Sequence, residues 1–471
     1  MWGAPRSCAM DNPDPASSGS TLRPSRDVCA AGRDSRKISS HCATSVPAPS
    51  NAGMLNSLSA IHRYLPDEIL IAIFAKAQSP ITLSAVCHLW REISINTSTL
   101  WTTIRYAHER NKSTSLDKLR IFVARSRNAQ VSVDVSVHGD VGGLEQVAGI
   151  LAPTFPRSQC LCLSFTHLKP AKCFFPLPHN MADLKSLVVT LGSSSDDLIF
   201  SRGQDELYIN IFQKSFSPPR LRSFHLFAPQ HVTVNFPDFL DMSGMSALSL
   251  AIRMPPAKML GLAARAPGLR TLDLMAHQLE PTDDHLVPSS YPNLERQSIA
   301  GHGWTSLIFA PSLHTLALLD QAALCAVDRA MSVRGRRPLF PNLQTLSLMT
   351  PGPAVLDQGS EFRSLAKFIQ EHNQLTDLDI MACWSPIPRI LSLSLGLSDQ
   401  PSTPSPCPKL RMLRLSLLYD VELTPLLAVC DSLLTERSVL KIEFRASADY
   451  SSDELNDFLS RYPQRVILLR R

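Results

Sequence analysis

Two aspartates at alternate positions, Asp377 and Asp379, form a pair that could do chemistry. Side by side in a cleft, such carboxylates hold a metal or share a proton. Here they alternate with Leu375, Leu378 and Ile380, the pattern of outward positions on a strand whose other side is buried. Asp283-Asp284 sits in a polar stretch and reads as a solvated turn. Cys160 and Cys162 form a C-x-C inside an alternating run, with no second pair at metal spacing. The eleven cysteines are scattered and odd in number, as free thiols in a reducing compartment would be. Gly301-His302-Gly303-Trp304 is a lone loop fragment, and the fourteen histidines are dispersed. No phosphate-cradling glycine loop, nucleophile elbow or H-E-x-x-H helix occurs. The sequence therefore points away from an enzyme, and it implies no metal and no cofactor.

The elements behind these residues are easier to read. The chain has 471 residues, 44% hydrophobic and only 18% charged, which allows a large buried core. A net charge of +5 is too weak and too spread for a dedicated nucleic-acid surface. No apolar run approaches the length of a membrane span, so no membrane partner is expected. Residues 1–54 are rich in Ser, Pro, Ala and Arg, and their composition predicts a disordered tail. The tail has no secretory apolar segment, and Asp11, Asp14, Asp27 and Asp34 argue against a transit peptide. A cytoplasmic or nuclear location is expected, where the N-x-S/T triplets at Asn96 and Asn111 carry no glycan.

Near Met54 the pattern changes. Leu55, Leu58 and Ile61 suit a lead-in turn, and Pro66 with Asp67 and Glu68 suits a helix start. Ile69, Leu70, Ile73, Phe74 and Ala77 then form a helical stripe. Ser79-Pro80 divides it from a second helix bearing Leu83, Val86, Cys87, Trp90 and Ile93. The run Leu65-Pro66-Asp67-Glu68-Ile69-Leu70, then Val86-Cys87 with Trp90-Arg91, then Leu100-Trp101, resembles the F-box over residues 65–106. His88 replaces the usual basic residue, and Thr97-Ser98-Thr99 the usual proline.

Past about residue 115 the texture alters again. Leu116, Leu119 and Phe122 suggest a helix, and Val131, Val133, Val135 and Val137 a strand. A unit L-x-x-L-x-L then recurs, with Pro two places ahead. It reads Leu221–Leu226, Leu269–Leu274, Leu294–Ile299, Leu313–Leu318, Leu343–Leu348 and Leu410–Leu415, with weaker copies at Leu184, Met245 and Leu375. This resembles a leucine-rich repeat, in which short strands stack so that each buries what it cannot bury alone. The Asn expected after L-x-L is missing: His277, Gln321 and Pro351 stand there. Segments 362–372 and 454–461 read as helices behind the sheet, 465–469 as its closing strand and 400–408 as a loop. The expected fold is an α-helical F-box module at 55–106, then an irregular α/β leucine-rich-repeat-like solenoid at 107–471.

The resemblance implies a Skp-type adaptor as partner, and through it a cullin–RING ubiquitin ligase. Carried over, the adaptor-binding residues are Leu65, Pro66, Ile69, Leu70, Val86, Cys87, Trp90, Leu100 and Trp101. Strand alternation places Ser223, His225, Thr271, Asp273, Thr315, Thr345, Ser347, Asp377, Asp379 and Arg414 on the open face of the sheet, as candidates for holding a protein substrate. A repeat scaffold working outside any ligase is the alternative.

Overall fold

The computed structural model describes residues 65–470, except 78, 110–111, 140–141, 179, 193–206, 213–217, 230–231, 236–239, 255, 277–290, 302–309, 320–339, 350–358, 382–386, 396–406, 418–422 and 447–451. The expected tail, the lead-in turn, Asp283-Asp284, His302–Trp304 and most of the 400–408 loop lie outside the described residues.

Among the described residues, three short helices come first: α1 (Asp67–Phe74), α2 (Pro80–Ser84) and α3 (His88–Asn96), followed by a 3-10 turn, Ser98–Trp101. The second helix expected from the sequence is thus two. Val86 N–H reaches back only to Leu83 O, at 3.2 Å, and Cys87 is fully extended, so the helix cannot continue. Arg91 Nε spans the break, donating to Ser84 O at 2.8 Å.

The chain then enters a sheet. Strand β1 (Thr103–Glu109) pairs antiparallel with the two-residue β2 (Lys112–Ser113). Helix α4 (Leu116–Arg125), capped by Ser115 Oγ accepting from Asp117 N–H, leads to β3 (Val131–Val137), which lies parallel to β1. The boundary drawn at residue 106 therefore falls inside β1, whose Ile104 and Tyr106 are buried in the main core.

Helix α5 (Leu144–Leu151), β4 (Ser158–Phe165), helix α6 (Leu168–Ala171), β5 (Ser186–Leu191), β6 (Leu207–Asn210), β7 (Ser223–Phe227), β8 (Val232–Asn235) and β9 (Ala247–Ile252) follow. Next come helix α7 (Pro256–Ala264), β10 (Thr271–Ala276), β11 (Arg296–Gly301), β12 (Thr315–Leu318) and β13 (Thr345–Met349). Helix α8 (Gly359–Glu371), β14 (Asp377–Met381), α9 (Ile387–Leu395), β15 (Met412–Leu417), α10 (Leu423–Glu436), β16 (Lys441–Ala446), α11 (Asp453–Arg461) and β17 (Val466–Arg470) complete the chain. Strands β6 and β8 pair apart; the other fifteen described strands form one sheet, in chain order from β3 to β17 with β1 beside β3 and β2 outermost, parallel throughout except at β2.

Each strong L-x-x-L-x-L copy makes one strand of this sheet. The first leucine ends a turn and the other two apolar positions point inward, as in Leu269, Leu272 and Leu274, all buried. The proline two places ahead does more than stop a preceding element: it occupies the second position of that turn. Leu269 N–H bonds Ala266 O, Leu313 N–H bonds Ala310 O and Leu343 N–H bonds Phe340 O, each at 3.1 Å. Proline's fixed φ suits that position.

Copies are stitched at the turns too. Arg270 O accepts from both Glu295 N–H and Arg296 N–H, each at 2.9 Å, and the same double acceptance recurs at Glu295 O, His314 O, Gln344 O and Thr376 O. Asn293 and Asn342, each just after the turn proline, donate side-chain N–H to Pro267 O (3.2 Å) and Pro311 O (2.9 Å) of the preceding copy. Helices α8, α9, α10 and α11 bury Phe368, Leu391, Leu426 and Phe458 in the same core as the inward leucines.

One rung breaks the pattern. In β11 the position aligned with Leu272 and Leu316 is Gln297, 0% exposed, with neither amide atom hydrogen-bonded among the described residues. An unsatisfied buried amide costs about 1–3 kcal/mol. Replacing Gln297 with Leu should raise stability by about that amount. The check is a rise in urea midpoint with an unchanged slope; an equal or lower midpoint would refute the account.

Candidate functional site

The helical module has two sides. Pro66 O accepts from Ile69 N–H (3.0 Å) and Leu70 N–H (3.1 Å), opening α1, with Asp67 and Glu68 at the positive end of its dipole. Pro66 thus stands one place before the helix rather than in its first turn. One side of α1 turns Leu70 and Phe74 into a small core with Leu83 and Ile93. Leu65, Leu89, Trp90 and Leu100 pack half-buried around it, and the Trp90 ring lies 4.8 Å from that of Phe74.

The other side of α1 leaves Ile69 47% and Ile73 50% exposed, and Val86, between α2 and α3, is 55% exposed. So the nine residues read from the sequence separate. Pro66, Ile69 and Val86 are exposed, while Leu65, Cys87, Trp90 and Leu100 are half-buried. The sequence left open which of the nine are core and which docking side chains; Leu70 and Trp101 are interior, so these two are core. Trp101 is 0% exposed: its Nε1 donates to Ser94 O at 2.7 Å, its ring meets Phe122 edge-on at 5.1 Å, and the Arg125 guanidinium lies 4.5 Å above it. Ile73 was missing from that set, although its spacing of four from Ile69 puts it on the same helix side.

The open face of the sheet is built in rows. Register aligns Ser223, Thr271, Thr315, Thr345 and Asp377 in one row. His225, Asp273, Ser347, Asp379 and Arg414 share the next. All ten sequence-derived residues therefore lie on one face, and most are half-buried rather than open. Asp379 departs furthest, at 8% exposed. The reason is a crossing of ion pairs: Arg445 Nη1 reaches Asp379 Oδ2 at 3.2 Å and its Nε reaches Glu443 Oε1 at 2.6 Å, while Arg414 Nη1 holds Asp377 Oδ1 at 3.2 Å. The Asp-x-Asp pair is thus held by arginines from β15 and β16, and no group of three or more metal-ligating side chains occurs among the described residues.

Burial shapes the chemistry of this face. It pushes the Asp273 carboxyl up to about 6, against the pull of Arg296. It also raises Asp379, opposed by Arg445 and Arg414, and lowers the His225 imidazole, which contacts Ser223 Oγ at 2.8 Å. Further along, burial and Asp134 push the Cys162 thiol up to about 12, so it stays protonated and unreactive.

A third row escaped the sequence reading. Phe227, Ala251, Met275 and Ala300 align in register, as do Met349 and Met381, and Leu319 N–H bonds Ile299 O at 2.9 Å to carry the row between them. Its only signal was an apolar residue just after L-x-L, where a solvent-facing position would normally be polar.

Residues 62–107 match the F-box-like family. That is 107 − 62 + 1 = 46 of 471 residues, about a tenth of the chain. The chain thus carries an F-box-like helical region followed by a strand-rich parallel sheet. No curated protein matches it. Among the described residues no helix is long and apolar enough to cross a membrane.

Proposed function

We propose that this chain is a non-catalytic substrate receptor of an SCF-type cullin–RING ubiquitin ligase. In this reading the F-box-like helices bind a Skp-type adaptor, and the sheet, taken as an irregular leucine-rich-repeat solenoid, presents its open face to a protein substrate in the cytoplasm or nucleus. One observation carries it. A domain of the F-box-like family exposes Ile69 and Ile73, one turn apart on the side of α1 away from its own core, and leaves Val86 exposed after α2. Clustered exposed aliphatics mark a partner surface.

The test follows from that geometry. Substituting Leu70 would break the small core and tell nothing about docking. The double variant Ile69→Asp/Ile73→Asp changes only the exposed side. It should weaken co-purification with a Skp-type adaptor by roughly a hundredfold, since losing two exposed apolar anchors and burying two charges at the contact exceeds about 3 kcal/mol. Its thermal midpoint should stay that of the parent. Undiminished adaptor binding by a folded double variant would overturn the proposal and favour a scaffold acting outside any ligase.

A further inference from the structure

The open face carries an odd pairing of chemistries. Its third row is apolar and rich in methionine: Phe227 is 39% exposed, and Met275, Leu319, Met349 and Met381 are half-buried. Methionine there is soft and adaptable, as at surfaces that repack around a ligand. Alongside runs a row holding Asp273, which the chain leaves short of donors, and Asp379, which Arg445 holds through one oxygen. Asp273 has no hydrogen bond and no ion pair within 4.0 Å among the described residues; Arg296 of β11 pulls on it only from beyond that distance, and its neighbours across the strands are Ser249 and Ser298. Asp379 uses Oδ2 on Arg445, but its Oδ1 is buried without a partner. Burial without a donor is unfavourable for an ionised carboxylate, and a cation brought by a ligand relieves it. A ligand acid or phosphate would set like charge against Asp273.

We propose that this face takes a basic, otherwise apolar segment of a partner protein, laid across the strands with aliphatic side chains on the methionine row and a lysine or arginine on Asp273. The inference rests on reading the open face as the receptor surface, and it adds what that surface selects. Strands β10 and β14 are four places apart in the sheet, so Asp273 and Asp379 stand about 19 Å apart along it. A single segment of about six extended residues bridges that span.

A displayed library of random twelve-residue peptides, selected on the full chain, tests this. Selected sequences should pair Lys or Arg with aliphatics. Their synthetic versions, followed by fluorescence anisotropy, should bind Asp273→Asn roughly tenfold more weakly, and Asp273→Lys should select acidic peptides instead. Basic peptides that bind Asp273→Asn as they bind the parent would overturn the proposal, and so would an empty selection. Acidic peptides that bind the parent and lose affinity on Met349→Asp would leave the receptor face standing and sink the basic ligand. Peptides indifferent to every substitution on this face would sink both. Adaptor co-purification, measured on the Asp273 variants, should be unchanged in every case, which separates this outcome from failure of the docking helices.

Discussion

Trp101→Ala should destabilise the chain by about 3–5 kcal/mol, the range for truncating a fully buried large aromatic side chain. The indole is sealed between Phe122 and the Arg125 guanidinium, and its N–H satisfies Ser94 O at the end of α3. Removing it opens a cavity, strips the cation–π contact and leaves a buried carbonyl without its donor. These groups come from both sides of the junction, α3 before it and α4 after it, so the loss should fall on the seam between helices and sheet. Urea unfolding followed by tryptophan-independent circular dichroism reads the total. Limited proteolysis should show new cleavage between residues 97 and 110. A midpoint shift worth less than about 1 kcal/mol would mean that the indole does not hold the seam.

Asp273→Asn should have the opposite sign and depend on pH. The folded carboxyl titrates at about 6 against an ordinary 3.8, chiefly because it is buried. Between those values the folded state holds the proton more tightly than the unfolded state, so the parent's stability falls as pH rises through the window. Above it the loss is complete. The difference, 6 − 3.8 = 2.2 pH units, corresponds to at most about 3 kcal/mol, and partial exposure brings the expectation to about 1–3 kcal/mol. Asparagine fills the same space without a charge. The variant should therefore be more stable than the parent at pH 8 and equal to it near pH 4. A constant difference at both pH values would show that the carboxylate is not strained by burial. Stability gained while ligand affinity is lost is the pattern expected of a binding group kept at some expense to the fold.

Much of this architecture was legible because it follows from periodicity. Leucines at L-x-x-L-x-L dictate a strand whose inward side repeats, and the recurrent proline dates each turn to within a residue. The stripe from Ile69 to Phe74 likewise announced α1. What stayed hidden depended on contacts distant in sequence. Trp101 is interior because Phe122 and Arg125 close over it, and nothing in Leu100-Trp101 says so. Asp379 is buried because Arg445 reaches it from 66 residues downstream. The helix break at residues 85–87 was masked by Val86 and Cys87, which keep helical spacing although Cys87 is extended. Gln297 sits where the repeat asks for leucine, and only register shows that no exception is made for it: the amide points inward with the rest. The methionine row has no period of its own within any one strand, so it emerges only when seven strands are laid side by side.

Strand β1 leaves the helical module and is at once a rung of the sheet, with no slack between. Distances along the sheet can therefore be counted from the end of the helical module. Counting rungs, β10 lies six steps and β14 ten steps from β1, about 29 Å and 48 Å at ordinary strand spacing. In the receptor proposed above, a substrate held at either place would sit at that distance from an adaptor bound to the first helices. Adding or deleting one copy of the unit would change that distance by a single increment of about 5 Å.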